Sequence, residues 1–176
     1  IDVDALDCKI FHIGYILLLD LFDRENADYG TAMAELLSRV QARGIKTSFD
    51  VVSDAAGNFK SKVKQALRYA NYAVMNEIEA CGVSKLAARK ADGRLNTENI
   101  RRTLELFFEY GVSELAVVHC PEAGFCMNAA GKFFAVPSLS ERHMANISKS
   151  RNWILTDCQS SMRRWIARWC FTAAAD

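Results

Sequence analysis

Two carboxylates and an amide fall within four residues at Asn76-Glu77-Ile78-Glu79, directly behind the β-rich run 72–75. Oxygen donors this close together at the carboxyl end of a strand suit a hydrated Mg2+, an ion that prefers hard oxygen ligands and keeps much of its water. The same four residues also make a good helix start, with Asn as the cap and acidic side chains offsetting the helix dipole. Residue chemistry alone leaves these two readings level. Three more polar residues, Asp20, Asp50 and His119, close the other β-rich runs. If those runs are parallel strands, all four polar ends stand along one edge, where loops and helix N-termini converge and where open parallel sheets bind ligands. Polar residues also end ordinary strands, because the chain is leaving the core there.

Other chemistries find little support. No G-x-G-x-x-G follows a strand, and neither a G-x-x-x-x-G-K-[ST] loop nor a G-x-S-x-G elbow occurs. His12, His119 and His143 are far apart and lack metal-ligand spacing. Cys120 next to His119 would face the opposite side of a strand, which speaks against a Cys/His nucleophile. The six cysteines form no C-x-x-C pair and read as reduced thiols of a cytoplasmic protein.

The elements that must position these residues alternate between strand and helix patterns, the signature of a mostly parallel α/β sheet. The nearly continuous apolar run 10–19 predicts a strand buried on both faces and ending at Asp20. Met33, Leu36, Leu37 and Val40 recur at helical spacing within 29–43, and Gly44 stops that helix. Residues 45–52 alternate as a second strand before a turn at 54–58. Phe59, Val63, Ala66, Leu67 and Ala70 then mark a helix whose Lys60, Lys62, Lys64 and Arg68 form a solvated face. After strand 72–75 a helix begins near Asn76. A turn at 91–94 precedes a helix capped by Asn96 or Thr97, with Ile100, Leu104, Phe107 and Phe108 as its stripe and Gly111 as its stop. Strand 115–118 follows, and 124–127 with 132–136 predict an antiparallel hairpin across 128–131.

Composition agrees with one globular domain: 176 residues, 51% hydrophobic and 24% charged. With 22 basic against 21 acidic residues, no charge excess points to nucleic acid. The longest apolar run falls short of the roughly 20 residues that a spanning helix needs, so no membrane partner is expected. The start at Ile1, without an initiating Met or a leader pattern, reads as the middle of a longer chain.

The succession His12-Ile13-Gly14-Tyr15, then Ala42-Arg43-Gly44-Ile45-Lys46-Thr47 leading to Asp50, then Asn76-Glu77-Ile78-Glu79, resembles the ribokinase-like, or PfkB-type, carbohydrate kinases. The similarity runs through 3–139 in order and spacing. It implies a three-layer α/β/α Rossmann-like domain, with 1–139 as the central part of that domain, and ATP-dependent phosphorylation of a sugar or related alcohol, with ATP and a sugar or nucleoside-like small molecule as partners. In the family's Asn-x-x-Glu motif, which Asn76 and Glu79 match, the pair positions Mg2+ and phosphate through water, as phosphoryl transfer requires. Of the family's nucleotide turn, often Gly-x-x-Gly, Pro121-Glu122-Ala123-Gly124 keeps the last glycine, so the resemblance assigns Gly124 to nucleotide binding.

Departures from the family accompany the match. The N-terminal sugar and lid region is absent. So is the C-terminal Gly-Ala-Gly-Asp motif, whose helix N-terminus holds an anion and whose Asp is the general base. The tail 140–176 is instead Trp- and Arg-rich, with nothing matching that motif around Ile147-Ser148-Lys149-Ser150-Arg151. The change in composition leads to the expectation that the family's reading frame is lost near Ser148 or that the coding segment is a fragment. An interaction helix with Met162, Trp165 and Trp169 on one stripe is the milder alternative, though its caps and length are poor. The expectation is a kinase segment that is inactive alone and prone to self-association through an exposed sheet edge. A non-catalytic α/β module that binds a nucleotide or a protein is the competing reading.

Overall fold

The computed structural model describes residues 1–52 and 59–138. Strands β1 (Ile10–Ile16), β4 (Lys46–Val51), β5 (Tyr72–Asn76), β6 (Leu115–His119), β7 (Ala123–Asn128) and β8 (Phe133–Pro137) form one sheet in that order. Pairing is parallel from β1 to β6 and antiparallel for β6–β7 and β7–β8, so the architecture is a mostly parallel α/β sheet with a C-terminal hairpin. Short strands β2 (Glu25–Asn26) and β3 (Gly30–Thr31) make a separate antiparallel pair. The helices are α1 (Asp20–Asp23), α2 (Ala32–Ala42), α3 (Lys64–Leu67), α4 (Glu77–Ser84) and α5 (Thr97–Glu109), with a wide helical turn Phe59–Val63 leading into α3.

Register explains the core. Ile13, Phe49, Ala73, Ala116, Met127 and Phe133 lie side by side across all six strands. The buried stripes of α2 (Met33, Leu36, Leu37, Val40) and α5 (Ile100, Leu104, Phe107) pack into the same cluster as this row. Side chains alternate across a strand, so the neighbouring residues Tyr72, Leu115, Val117 and Cys126 form a second cluster on the opposite face. Val117 is only 1% exposed there, but this second cluster is made of strand residues alone, whereas the buried stripes of the helices all lie on the first face. Each large side chain buried in this way stabilises the fold by about 1.5–3 kcal/mol.

Two sequence expectations need correction. β1 is not buried on both faces: it is the outer strand of the described sheet, and its exposure alternates along its length. It also ends at Ile16, before Asp20. An irregularity between Ile13 and Ile16 that contains the left-handed Tyr15 (φ 64), followed by a second left-handed residue at Leu17 (φ 84), turns the chain out of the ladder. The buried Asp23 carboxylate holds that exit by accepting from the Leu17 and Leu19 amides at 3.1 and 2.9 Å. Asp20 becomes the exposed first residue of α1. Likewise, α2 starts at Ala32 and not at 29, because the β2–β3 pair occupies the preceding residues and Thr31 caps the helix by accepting from Ala34 N at 3.1 Å.

The glycine stops are realised. Gly44 turns left-handed (φ 76) as its amide donates to the Gln41 carbonyl. Gly111 (φ 121) lies so near the Arg68 backbone that a Cβ would stand 2.6 Å from it. On the helix before β5, Lys64 lies over the Tyr110 ring at 4.2 Å and Arg68 is exposed. The turn expected at 54–58, the Lys60 side chain and the tail 140–176 lie outside the described residues. Among the described residues no helix is long and apolar enough to cross a membrane, and no disulfide joins Cys8, Cys81, Cys120 and Cys126 to one another.

Candidate functional site

Three of the residues singled out from sequence meet at the carboxyl edge of the parallel strands. Asn76 of β5 pairs in register with His119 of β6, and His119 pairs with Gly124 of β7, so the three form one row. Asp50 stands on the same face one row further in, opposite Val74. Asp20 does not join them.

Asn76 and Glu79 form a complete capping box at the start of α4. The Asn76 Oδ1 accepts from the Ile78 and Glu79 amides, both at 2.9 Å. In return Glu79 Oε2 accepts from the Asn76 amide at 2.9 Å, and Glu79 Oε1 from the Asn76 side-chain Nδ2 at 2.6 Å. With Glu79 only 2% exposed, the helix-start reading of this motif is realised in full. The pair therefore does not fit direct ligation of a cation. What it still offers a hydrated Mg2+ is the remaining lone pairs of its oxygens, reached through the ion's own waters.

Gly124 lies in β7, one residue into the strand after the turn at 120–123, which closes with Cys120 N donating to the Ala123 carbonyl at 2.8 Å. Cys120 is buried. Its thiol is pushed up to about 12 by burial first and then by the Glu77 carboxylate beside it, so it stays protonated and non-nucleophilic.

Asp50 has a structural task at this edge. Its Oδ1 accepts from the Tyr15 amide at 2.9 Å, which holds the irregular end of β1 to β4. A Cβ on Gly14 would come within 3.1 Å of the same oxygen, which explains the glycine. His12 stands between Ser48 Oγ, at 3.0 Å from Nδ1, and Asp50 Oδ2, at 3.9 Å from Nε2. Apolar surface also collects around the strand exits, where Tyr15 and Ile78 are 61% and 63% exposed.

Sequence reasoning missed one part of the edge. Arg89, in the connection between α4 and α5, lies between Glu77 and Glu122. Glu122, named only as part of the nucleotide turn, is held below the usual carboxylate range by Arg89, and Arg89 is held more firmly charged by Glu122 and Glu77. The Oε2 of Glu77 is buried and meets no nitrogen or oxygen donor among the described residues, with the Cys120 thiol beside the carboxylate. No periodic pattern links residues so far apart in the chain; the nearest sequence signal is the Asp92-Gly93 turn that folds this connection.

No protein-family model and no curated protein matches the chain. Solved structures do. A phosphomethylpyrimidine kinase from Clostridium difficile 630 is similar at 12% identity and a TM-score of 0.52, over 77% of this chain and 55% of that one. A PfkB protein from Polaromonas sp. JS666 is similar at 16% identity and 0.53, over 80% and 46%. An aminoimidazole riboside kinase from Salmonella enterica is similar at 17% identity and 0.51, over 74% and 40%. The chain thus spans about half, or less, of the length of each of these structures. Backbone likeness at such low identity speaks to architecture alone: this chain shares its mostly parallel α/β fold with these structures.

Proposed function

We propose that this chain is the central part of a ribokinase-like kinase that uses Mg-ATP to phosphorylate a sugar or nucleoside-like alcohol, and that the segment alone is inactive. The observation that supports this most is the row Asn76, His119 and Gly124 at the carboxyl edge of a sheet with this fold, with the Asn76–Glu79 unit beside it. Bound Mg2+ would neutralise phosphate charge during transfer. The role of this chain's own residues is to hold: Asn76 and Glu79 fix the first turn of α4 and present rigid oxygens to the ion's water shell, while the turn before Gly124 borders the nucleotide. No residue of the chain is assigned as the base, since no Gly-Ala-Gly-Asp motif is present.

The second reading, a non-catalytic module binding a nucleotide or a protein, draws support from the engagement of Asn76 and Glu79 in the helix cap. Self-association through the outer strand β1 fits either reading. Thermal unfolding of the chain with and without Mg-ATP tests nucleotide binding directly. A ligand at a hundredfold excess over its Kd adds about 2.7 kcal/mol to stability. An upward shift that requires Mg2+, and that Glu79→Gln reduces, supports the kinase reading. A shift indifferent to Mg2+ and to Glu79→Gln supports the module, and no shift removes the nucleotide from both.

A further inference from the structure

Arg89 uses all five of its guanidinium N–H groups at this edge. Nε and Nη2 donate to Glu77 Oε1 at 3.1 and 2.9 Å. Nη1 and Nη2 donate to Glu122 Oε1 and Oε2 at 2.9 and 3.0 Å, and Nη1 also reaches the Gly93 carbonyl at 3.0 Å. A planar fork that is filled in this way fixes both partners in direction as well as distance.

The backbone around Arg89 is fastened too. The Ala88 amide donates to Cys81 Sγ at 3.0 Å, and the Ala88 carbonyl accepts from the Asn96 amide at 2.7 Å. Arg89 itself bridges to Leu95, and the Asn99 side chain donates to the Ala87 carbonyl at 2.8 Å. The guanidinium is therefore presented at a place set by the α4–α5 connection before it meets its carboxylates.

Those carboxylates belong to different parts of the edge. Glu77 follows Asn76 directly on α4, whereas Glu122 lies in the β6–β7 turn, just ahead of Gly124. We infer that Arg89 is a positioning residue that locks the β6–β7 turn to the N-terminus of α4, so that the two halves of the candidate nucleotide edge keep one geometry. This rests on the nucleotide reading above for its purpose and on the fork geometry for its existence.

The two ends of the clamp differ in burial: the Glu77 side chain is 17% exposed and that of Glu122 52%. An ion pair that ends on so exposed a carboxylate adds little to global stability. Its effect belongs to local order, which separates it from an ordinary stabilising contact. Glu122→Ala is the cleaner test, because it frees the turn and leaves Glu77 paired; Arg89→Lys, which keeps the charge without the fork, is the second variant.

The measurements are amide hydrogen exchange at Glu122, Ala123 and Gly124, exchange at core amides such as Ala116 and Val117, and Mg-ATP affinity by calorimetry. In Glu122→Ala, exchange at the turn is expected to rise about tenfold with the core unchanged. Mg-ATP should bind about tenfold more weakly, the low end of what losing an outer-shell support costs. Arg89→Lys should fall between wild type and Glu122→Ala in both. Unchanged turn exchange in Glu122→Ala overturns the clamp, as does equal acceleration in turn and core, which would make Glu122 merely structural. Faster turn exchange with undiminished Mg-ATP affinity overturns its positioning role. If the wild type binds no Mg-ATP, the nucleotide reading falls, and turn exchange by itself decides whether the clamp exists.

Discussion

At the amino edge of the sheet, Lys46, Tyr72 and Glu114 stand at the entrances to β4, β5 and β6 and bond one another: Lys46 Nζ donates to Glu114 Oε2 at 2.8 Å, and the Tyr72 hydroxyl donates to the same oxygen. Asn71 ties in the rest, donating to Glu114 Oε1 at 3.1 Å and accepting from the Thr47 amide at 2.9 Å and from Gln41 Nε2 at 3.0 Å. The carboxyl edge, built from similar residue types, is less closed. Glu77 Oε2 is buried with no nitrogen or oxygen donor among the described residues and only the Cys120 thiol beside its carboxylate, Ile78 and Tyr15 are exposed, and Tyr15 and Leu17 hold left-handed backbone. A polar network satisfied within itself braces strands together, whereas unmet polar atoms, exposed apolar groups and backbone strain gather where a fold is arranged to meet something else.

This contrast predicts that amino-edge substitutions lower stability and leave ligand binding alone, while carboxyl-edge substitutions weaken ligand binding, with a stability cost that shrinks as exposure rises. Asn71→Ala should have the largest effect, about 3 kcal/mol by urea unfolding, because it strips acceptors from a buried amide and from Gln41 together. Mg-ATP affinity should not follow it. Asn76→Ala removes the capping box and exposes a buried carboxylate to loss of its donor, a cost of about 2 kcal/mol, and here Mg-ATP affinity should fall as well. An Asn76→Ala protein that loses stability and keeps affinity would erase the contrast.

Glu114→Gln is expected to cost about 1 kcal/mol near neutral pH. Burial pushes Glu114 upward, but Lys46, Tyr72 and Asn71 outweigh it, so its folded pKa lies below the ordinary 4.5. Its stabilisation is therefore present above that value and is lost as pH falls through the lower folded pKa. The urea midpoints of wild type and Glu114→Gln should converge on acidification below 4.5. At the alkaline end the sign reverses. Lys46 is raised above 10.5 by Glu114, and Tyr72 above 10.0 by burial and then Glu114, so their contributions are lost as pH rises through the folded values. Ile78→Ser should have the smallest effect on stability, within about 0.5 kcal/mol, because the side chain is already in water.

Local chemistry was legible in the sequence where one element contains its own explanation. Asn96 caps α5, whose Ile100, Leu104 and Phe107 fall on one buried stripe, and Gly44 and Gly111 mark the helix exits, because spacing and left-handed backbone are properties of a few consecutive residues. The Asn76–Glu79 unit was visible for the same reason, as was the pattern of strands and helices that yields a mostly parallel sheet. The end of β1 was not legible: Leu17, Leu18 and Leu19 extend the apolar run past the point where Tyr15 and Leu17 leave the ladder. Nor was its place at the sheet's edge, since strand order comes from pairings between distant segments. The Arg89 clamp lies further still from sequence reasoning. Glu77, Arg89 and Glu122 come from a helix start, a connection and a strand turn, and no period relates them. Periodicity and caps act over one or two turns of chain and determined the elements; the meeting of Asn76, His119 and Gly124 in one row, and the fork that joins Glu77 to Glu122 beside it, depended on long-range packing that only the tertiary structure decided.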